Sequence, residues 1–233
     1  MQSRVLRAFL ALVMTTALLS CSAQDATPAG MSPVPAPPLR EARTDQSDVA
    51  EAIFGRRSER RFTGDALPSQ TLADLLWSTI GLTVDGSTGA TRAAPSAGAT
   101  NPLVVYAVVK RVEEVEAGVY RYESTDHSVT MVRPGPVTED LVAVVRGQEF
   151  VGRAPLVLIL TADISRTTDR YGERGERYVF MEAGHAAQNV CLMAQTRGLG
   201  TTVVGAFQDD ALKELLAADE DPLLVIPVGV PER

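Results

Sequence analysis

The sequence predicts an α+β domain, and three observations point to it. Apolar residues recur at helical spacing in some segments, as in Leu72, Leu75, Leu76 and Ile80. Other segments are short, apolar and β-branched, which suits a pleated surface. The two kinds follow one another without the regular alternation that a parallel βαβ fold requires.

The elements follow in chain order. Residues 48–55 read as a short helix, and Ser69 is a good N-cap for a helix over 70–80. Residues 81–99, rich in Gly, Ser, Thr and Ala, read as loop. Residues 102–110 form a strand, and 119–123 with 128–132 form a hairpin across 124–127. Thr138 caps another helix, and the continuous apolar run 155–161 is a strand buried on both faces. The longest helix covers 177–197 and stops at Gly198, a natural left-handed cap. Ala183, Gly184, Ala186 and Ala187 in its middle allow a neighbouring helix to come close, so it reads as a central or interface helix. Residues 201–207 read as a strand, Asp209 as the cap of a helix over 210–218, and 223–228 as the last strand.

The start of the chain is a targeting device. Arg4 and Arg7 precede an apolar run over 8–19, long enough for a signal-peptide core and too short to span a bilayer. It ends in Leu18, Leu19, Ser20 and Cys21, which resembles the bacterial lipobox. On that resemblance, 1–20 is a lipoprotein signal peptide and Cys21 is the lipidated mature N-terminus of an exported protein, anchored to a membrane on its periplasmic or cell-surface side. Secretion with ordinary cleavage nearby is the other reading. Residues 22–47 form a Pro/Ala-rich tether that includes Pro28, Pro33, Pro35, Pro37 and Pro38, and 48–233 form one domain. Only Cys191 then remains, so the domain has no internal disulfide, and Cys191 itself reads as a small buried hydrophobe.

The net charge is −7, which argues against a nucleic-acid partner. Against that acidic background, Arg56, Arg57, Ser58, Glu59, Arg60 and Arg61 gather four guanidiniums and a hydroxyl in six residues. Arginine forks meet phosphate oxygens bidentately, so a bound phosphate is one reading. A solvated C-terminus of the 48–55 helix, where cations sit favourably, is the other.

Other chemistries find less support. Glu182 and His185 have the i, i+3 spacing of di-iron helices, but His127 is the one further histidine, so no metal site is expected. Ser96 lacks the strand and the first glycine of a nucleophile elbow, and a serine hydrolase using Ser96 and His185 stays as an alternative. Gly198, Leu199 and Gly200 follow a helix and make no dinucleotide fingerprint. His185 reads as a helix residue satisfied by a buried partner.

Four ordered segments carry a resemblance. They are 56–62 (Arg-Arg-Ser-Glu-Arg-Arg-Phe), then 92–102 with Pro95, Ser96, Ala97, Gly98 and Asn101, then 182–207 from Glu182 and Ala183 through Gly198 and Gly200 to Gly205 and Phe207, and last Ile226, Pro227, Val228 and Gly229. Together they resemble the nitroreductase-like flavoproteins, and within them the SagB-type dehydrogenase branch. The resemblance implies a central mixed or antiparallel sheet flanked by helices, in a homodimer with FMN at the subunit interface. Arg56, Ser58 and Arg60 would hold the FMN phosphate and ribityl chain, with Arg57 and Arg233 as further phosphate contacts. Pro95, Ser96 and Ala97 would reach the flavin from the other subunit, Gln148 would touch it, and Gly205 would offer its N–H to the flavin N5. The activity implied is an FMN-dependent oxidoreductase with ping-pong kinetics on a small-molecule or peptide substrate.

Two features bear on that activity. Azoline-oxidising members use a Lys-Tyr pair, which Arg170 and Tyr171 match only in part, and arginine is a poor base. Tyr171 or His185 is left as the candidate proton-transfer group. A free nicotinamide pool is not expected outside the cytoplasm, so electrons would come from the substrate, a quinol or a partner protein. A non-catalytic surface binding module on the same fold is the remaining alternative. Expressed in full in a bacterial host, the protein is expected to fractionate with membranes and to incorporate labelled palmitate, and a Cys21→Ala variant to do neither; unlabelled protein in the soluble fraction would contradict the lipobox reading.

Overall fold

The computed structural model describes residues 48–86 and 89–232. The signal segment, Cys21, the tether and Arg233 lie outside the described residues. After α1 (Asp48–Gly55) and α2 (Ser69–Ile80) comes a two-stranded hairpin of β1 (Leu82–Gly86) and β2 (Gly89–Arg92). Then come β3 (Leu103–Val109), β4 (Gly118–Glu123), β5 (Ser128–Pro134), α3 (Thr138–Val144), α4 (Glu149–Arg153), β6 (Leu156–Ala162), α5 (Ser165–Tyr171), α6 (Arg174–Thr196), β7 (Gly200–Thr201), α7 (Asp209–Leu216) and β8 (Asp221–Gly229). Six of the strands make one sheet in the order β5-β4-β3-β6-β8-β7, with every neighbouring pair antiparallel.

The two-residue period of a strand explains why β3 and β6 are apolar throughout. In β3, Leu103, Val105, Ala107 and Val109 face one core, and Val104, Tyr106 and Val108 face the other. In β6, Leu156, Leu158 and Leu160 join the first core and Val157 and Ile159 the second. Helices α2 and α6 cover the first face, and α3, α4 and α7 cover the second, so no position along these strands looks at water.

Helix α6 owes its central place to small residues. Ala183, Ala186, Ala187, Val190 and Ala194 lie in the first core, while Gly184 and His185 face outward at the positions a 3.6-residue period dictates. His185 is therefore exposed, and the expectation of a buried partner is corrected. Near the start of α6, a Cβ on Gly175 would come within 2.7 Å of the Thr168 Cα and 2.8 Å of the Thr167 carbonyl, so α5 and α6 touch backbone to backbone. The helix stops at Gly198, whose φ of 68° only glycine adopts without strain.

Other expectations are also corrected. The expected side-chain caps Ser69, Thr138 and Asp209 are the first residues of α2, α3 and α7; Pro68, Val137 and Gln208 occupy the cap positions, with no side-chain cap bond. The helices begin one residue early because backbone carbonyls serve instead, as when the Pro68 carbonyl accepts the Thr71 N–H at 2.9 Å. Residues 82–92 are a hairpin and no loop: Gly86 and Gly89 make the tight reversal, the Trp77 indole N–H holds the Leu82 carbonyl at 2.9 Å, and the Thr83 and Thr91 hydroxyls meet across the strands at 2.6 Å. Of the strand expected over 201–207, only Gly200–Thr201 pairs fully with β8, after which the chain returns for one bridge at Val204 and Val225.

Replacing Leu158 with Ala is expected to cost about 2–5 kcal/mol of unfolding free energy, because the strand is clamped on both faces and cannot collapse into the void. Urea unfolding checks it, and a loss well under about 1 kcal/mol would contradict the two-sided core.

Candidate active site

The segment 56–62 is extended and pinned at both ends. The Phe62 ring is 2% exposed and packs against Gly229, and the Thr63 N–H donates to the Val230 carbonyl at 3.0 Å. At the other end Ser58 bridges Thr201 in parallel, and the Glu59 N–H donates to the Thr201 carbonyl at 2.8 Å. The segment thus extends the edge of the sheet beyond β7, and the Ser58 and Arg60 side chains stand at the surface.

Glu59 organises the arginines beside it. Its carboxylate accepts the N–H groups of Arg60 and Arg61 at 3.1 Å each and lies 3.7 Å from the Arg57 guanidinium. Burial pushes its pKa up, but the Arg61 and Arg60 N–H groups and the charges of Arg57 and Arg61 together hold it below the ordinary value. Arg57 is thereby engaged. Arg56 and Arg60 have no carboxylate partner among the described residues, so this edge keeps uncompensated positive charge, with Arg60 lying 5.8 Å over the Phe150 ring.

Phe150 connects this edge to the next piece. It sits on α4, whose last carbonyls are held by the Lys110 ammonium: Nζ donates to the Val151 and Gly152 carbonyls at 2.8 Å each. Arg111 beside it donates to the Gly64 and Arg153 carbonyls. At the start of α4, Gln148 donates through Nε2 to the Ala206 carbonyl at 3.0 Å, one residue from Gly205. Gly205 is exposed, and a Cβ built on it would meet nothing within 4 Å. With Val203, Phe207, Gly184, Gln188 and Phe180 it walls a largely apolar cleft of about 750 Å³. The Glu59–Thr201 pairing, Arg60 over Phe150 and the Gln148–Ala206 bond thus link the segment of guanidiniums and the Ser58 hydroxyl to the segment that exposes Gly205, although Arg56, Ser58, Arg60 and Gln148 are not among the residues lining the cleft. That donor set suits an anionic tail attached to a flat polar ring.

Pro95, Ser96 and Ala97 lie elsewhere, in a loop gripped by α5 and α6, and they are not among the residues lining the Gly205 cleft. Arg170 donates to the Gly98 carbonyl at 2.7 Å, Thr100 and Thr167 hydroxyls meet at 2.8 Å, and Asn189 donates to the Ala93 carbonyl at 3.0 Å. Tyr171 abuts Gly98, its hydroxyl filling the space a Cβ would need, and packs edge-on to Tyr178. Neither Tyr171 nor His185 lines the cleft within one chain. The Ser96 hydroxyl is engaged by Glu182 and the Asn101 N–H, and no Ser96–His185 pair forms. No group of three or more His, Cys, Asp or Glu able to hold a metal occurs among the described residues.

Sequence reasoning missed Phe150, which no motif marks, and the roles of Lys110 and Glu182. Glu182 did leave a signal: it is a carboxylate at a helical position shared with Val179, Ala183 and Ala186, all buried.

A family model described as the nitroreductase family matches residues 53–230. A candidate nitroreductase of Methanocaldococcus jannaschii is 42% identical over 185 residues, covering 79% of this chain and 92% of that protein. A structure described as a candidate nitroreductase from Ralstonia eutropha superposes with a TM-score of 0.69 at 28% identity, over 84% of this chain and 88% of that one. A Desulfovibrio desulfuricans structure described as a candidate nitroreductase in complex with FMN shares the fold, with a TM-score of 0.59 at 22% identity over 81% of this chain and 88% of that one.

Burial, and secondarily the charge of Arg111, lowers the Lys110 pKa from its ordinary 10.5 to about 7. The unfolded chain then holds more protons between about pH 7 and 10.5, so this lysine's contribution to stability is least favourable below that window and improves as pH rises through it. Set against a Lys110→Met variant, the wild-type unfolding free energy is expected to gain steadily between about pH 7 and 10; urea titrations showing a constant difference would contradict the buried ammonium.

Proposed function

We propose, from the premise that the chain belongs to the nitroreductase family and is a flavin oxidoreductase, that it binds FMN on the Arg56–Gly205 surface and works as a homodimer on a substrate of its own compartment. The observation that carries this reading is the Glu59–Thr201 hydrogen bond, which sets the unpaired arginines beside the segment that bears Gly205. Arg56, Ser58 and Arg60 would hold the phosphate and ribityl chain, with Arg57 assisting and Arg233 as a further candidate. Gly205 would donate its N–H to the ring, where the missing side chain leaves the approach clear. Gln148 keeps that backbone in place through the Ala206 carbonyl. Pro95, Ser96 and Ala97 would close the site from the second copy.

FMN bound there would supply a two-electron carrier that accepts hydride at N5 from one substrate and passes it to another. The residues bind, orient and leave one open cleft, so donor and acceptor use it in turn. Tyr171 is the better-placed proton donor, because it abuts the loop expected to reach the partner's flavin, while His185 stands free on α6. The motifs favour the SagB-type branch. Arg170 holds the Gly98 carbonyl, which gives it a structural task and speaks against azoline oxidation by an Arg-Tyr pair. The lipobox-like Cys21 supports an anchored, exported protein that draws electrons from a local substrate, a quinol or a partner protein.

Purified protein is expected to be yellow. Changing Arg56 and Arg60 together to Ala should weaken FMN binding about a hundredfold or more, since each charge-assisted bond is worth about 1.5–3 kcal/mol. Initial-rate plots for donor and acceptor should give parallel reciprocal lines. Flavin retained at full affinity by the double variant would overturn the phosphate assignment, and intersecting lines would overturn the shared cleft.

A further inference from the structure

Glu182 lies on the sheet-facing side of α6 and is only 4% exposed. A carboxylate in that position is costly unless it is hydrogen-bonded. Both of its donors belong to the loop at 93–101: the Ser96 hydroxyl and the Ala97 N–H. The Ser96 oxygen in turn accepts the Asn101 N–H at 2.9 Å. One carboxylate therefore ties down both ends of a turn in which Gly98, Ala99 and Asn101 have φ of 59°, 55° and 46°. Three left-handed residues within four positions, two of them with side chains, persist only where the surroundings hold them.

The charged groups around Glu182 are few. Arg92, the last residue of β2, attracts it. Arg121, Tyr122 and Glu123 of β4 and Arg166 of α5 line with it a polar cavity of about 210 Å³. Arg121 pairs with Glu123 and Glu220, and Arg166 with Asp163, so their charges are largely spent elsewhere. Burial raises the Glu182 pKa, against the pull of Ser96, Ala97 and Arg92.

We propose that Glu182 is a positioning residue for cofactor binding: its carboxylate fixes the backbone of Pro95, Ser96 and Ala97 in the shape that meets a flavin carried by a second copy of the chain. This rests on the FMN reading above. The carboxylate accepts from both donors at once, so losing it frees the turn at both of its ends.

The test is FMN titration of the full chain, followed by flavin fluorescence, for wild type, Glu182→Ala and Glu182→Gln. Glu182→Ala is expected to bind about tenfold or more weakly. Glu182→Gln, which keeps an acceptor for the Ala97 N–H, should fall between the two. Wild-type affinity in Glu182→Ala would overturn the proposal while leaving the arginine result intact. A wild-type chain that takes up no FMN, or an Arg56→Ala/Arg60→Ala variant that binds normally, would remove the parent reading and this one with it. If Glu182→Ala does not fold, amide exchange in flavin-free wild type decides: a protected Ala97 N–H supports the proposal, and an unprotected one overturns it.

Discussion

The amide of Glu59 and the carbonyl of Thr201 join two segments that lie far apart in sequence and carry different halves of the site. That pairing sets the arginine segment directly beside the strand that leads to Gly205. It is secured by burial: the Phe62 ring sits in the second core against Gly229, so the residues before it must run along the sheet edge and turn their polar side chains outward. Glu59, the one carboxylate in the cluster, is spent on two backbone amides and Arg57. Arg56 and Arg60 keep their charge for something else. In a chain with a net charge of −7, that edge is a local positive potential of the kind that attracts an anion.

The sheet supplies the other constraint. Because both faces of β3, β6 and β8 are covered by helices, a chain leaving the β7 edge can join the fold only by sending single side chains inward. Val204 and Phe207 go into the second core, and Val203 before them and Gly205 between them are left at the cleft. The exposure of Gly205 is thus a consequence of core packing on either side of it. Gln148 and the α4 turn, held by Lys110, fix the height of that backbone relative to Arg60.

Much of this was legible in the sequence, for physical reasons. Strands β3, β4, β5, β6 and β8 and helices α1, α2 and α6 follow from apolar runs and periods, which report burial, and burial decides them. The caps were misread because a hydroxyl or carboxylate at Ser69, Thr138 or Asp209 signals a favourable helix start without saying whether a backbone carbonyl one residue earlier has taken the role. The β1–β2 hairpin was hidden by its Gly, Ser and Thr content, since its anchor is the Trp77 indole outside the segment. The strand expected over 201–207 failed because apolar character reports burial and is silent on pairing. Within the site, the arginines and Gly205 were marked by their own chemistry. Phe150, Lys110 and Glu182 act through neighbours far away in sequence, and only their contacts reveal them.

Titration of isotopically labelled full-length protein with FMN tests the central claim most directly, through the backbone amide of Gly205 and the guanidinium Nε–H signals of Arg56 and Arg60. If one surface holds the cofactor, all three move together and saturate along one binding curve. Flavin that binds while the Gly205 amide stays still, or that shifts Gly205 without disturbing the arginines, would contradict the account.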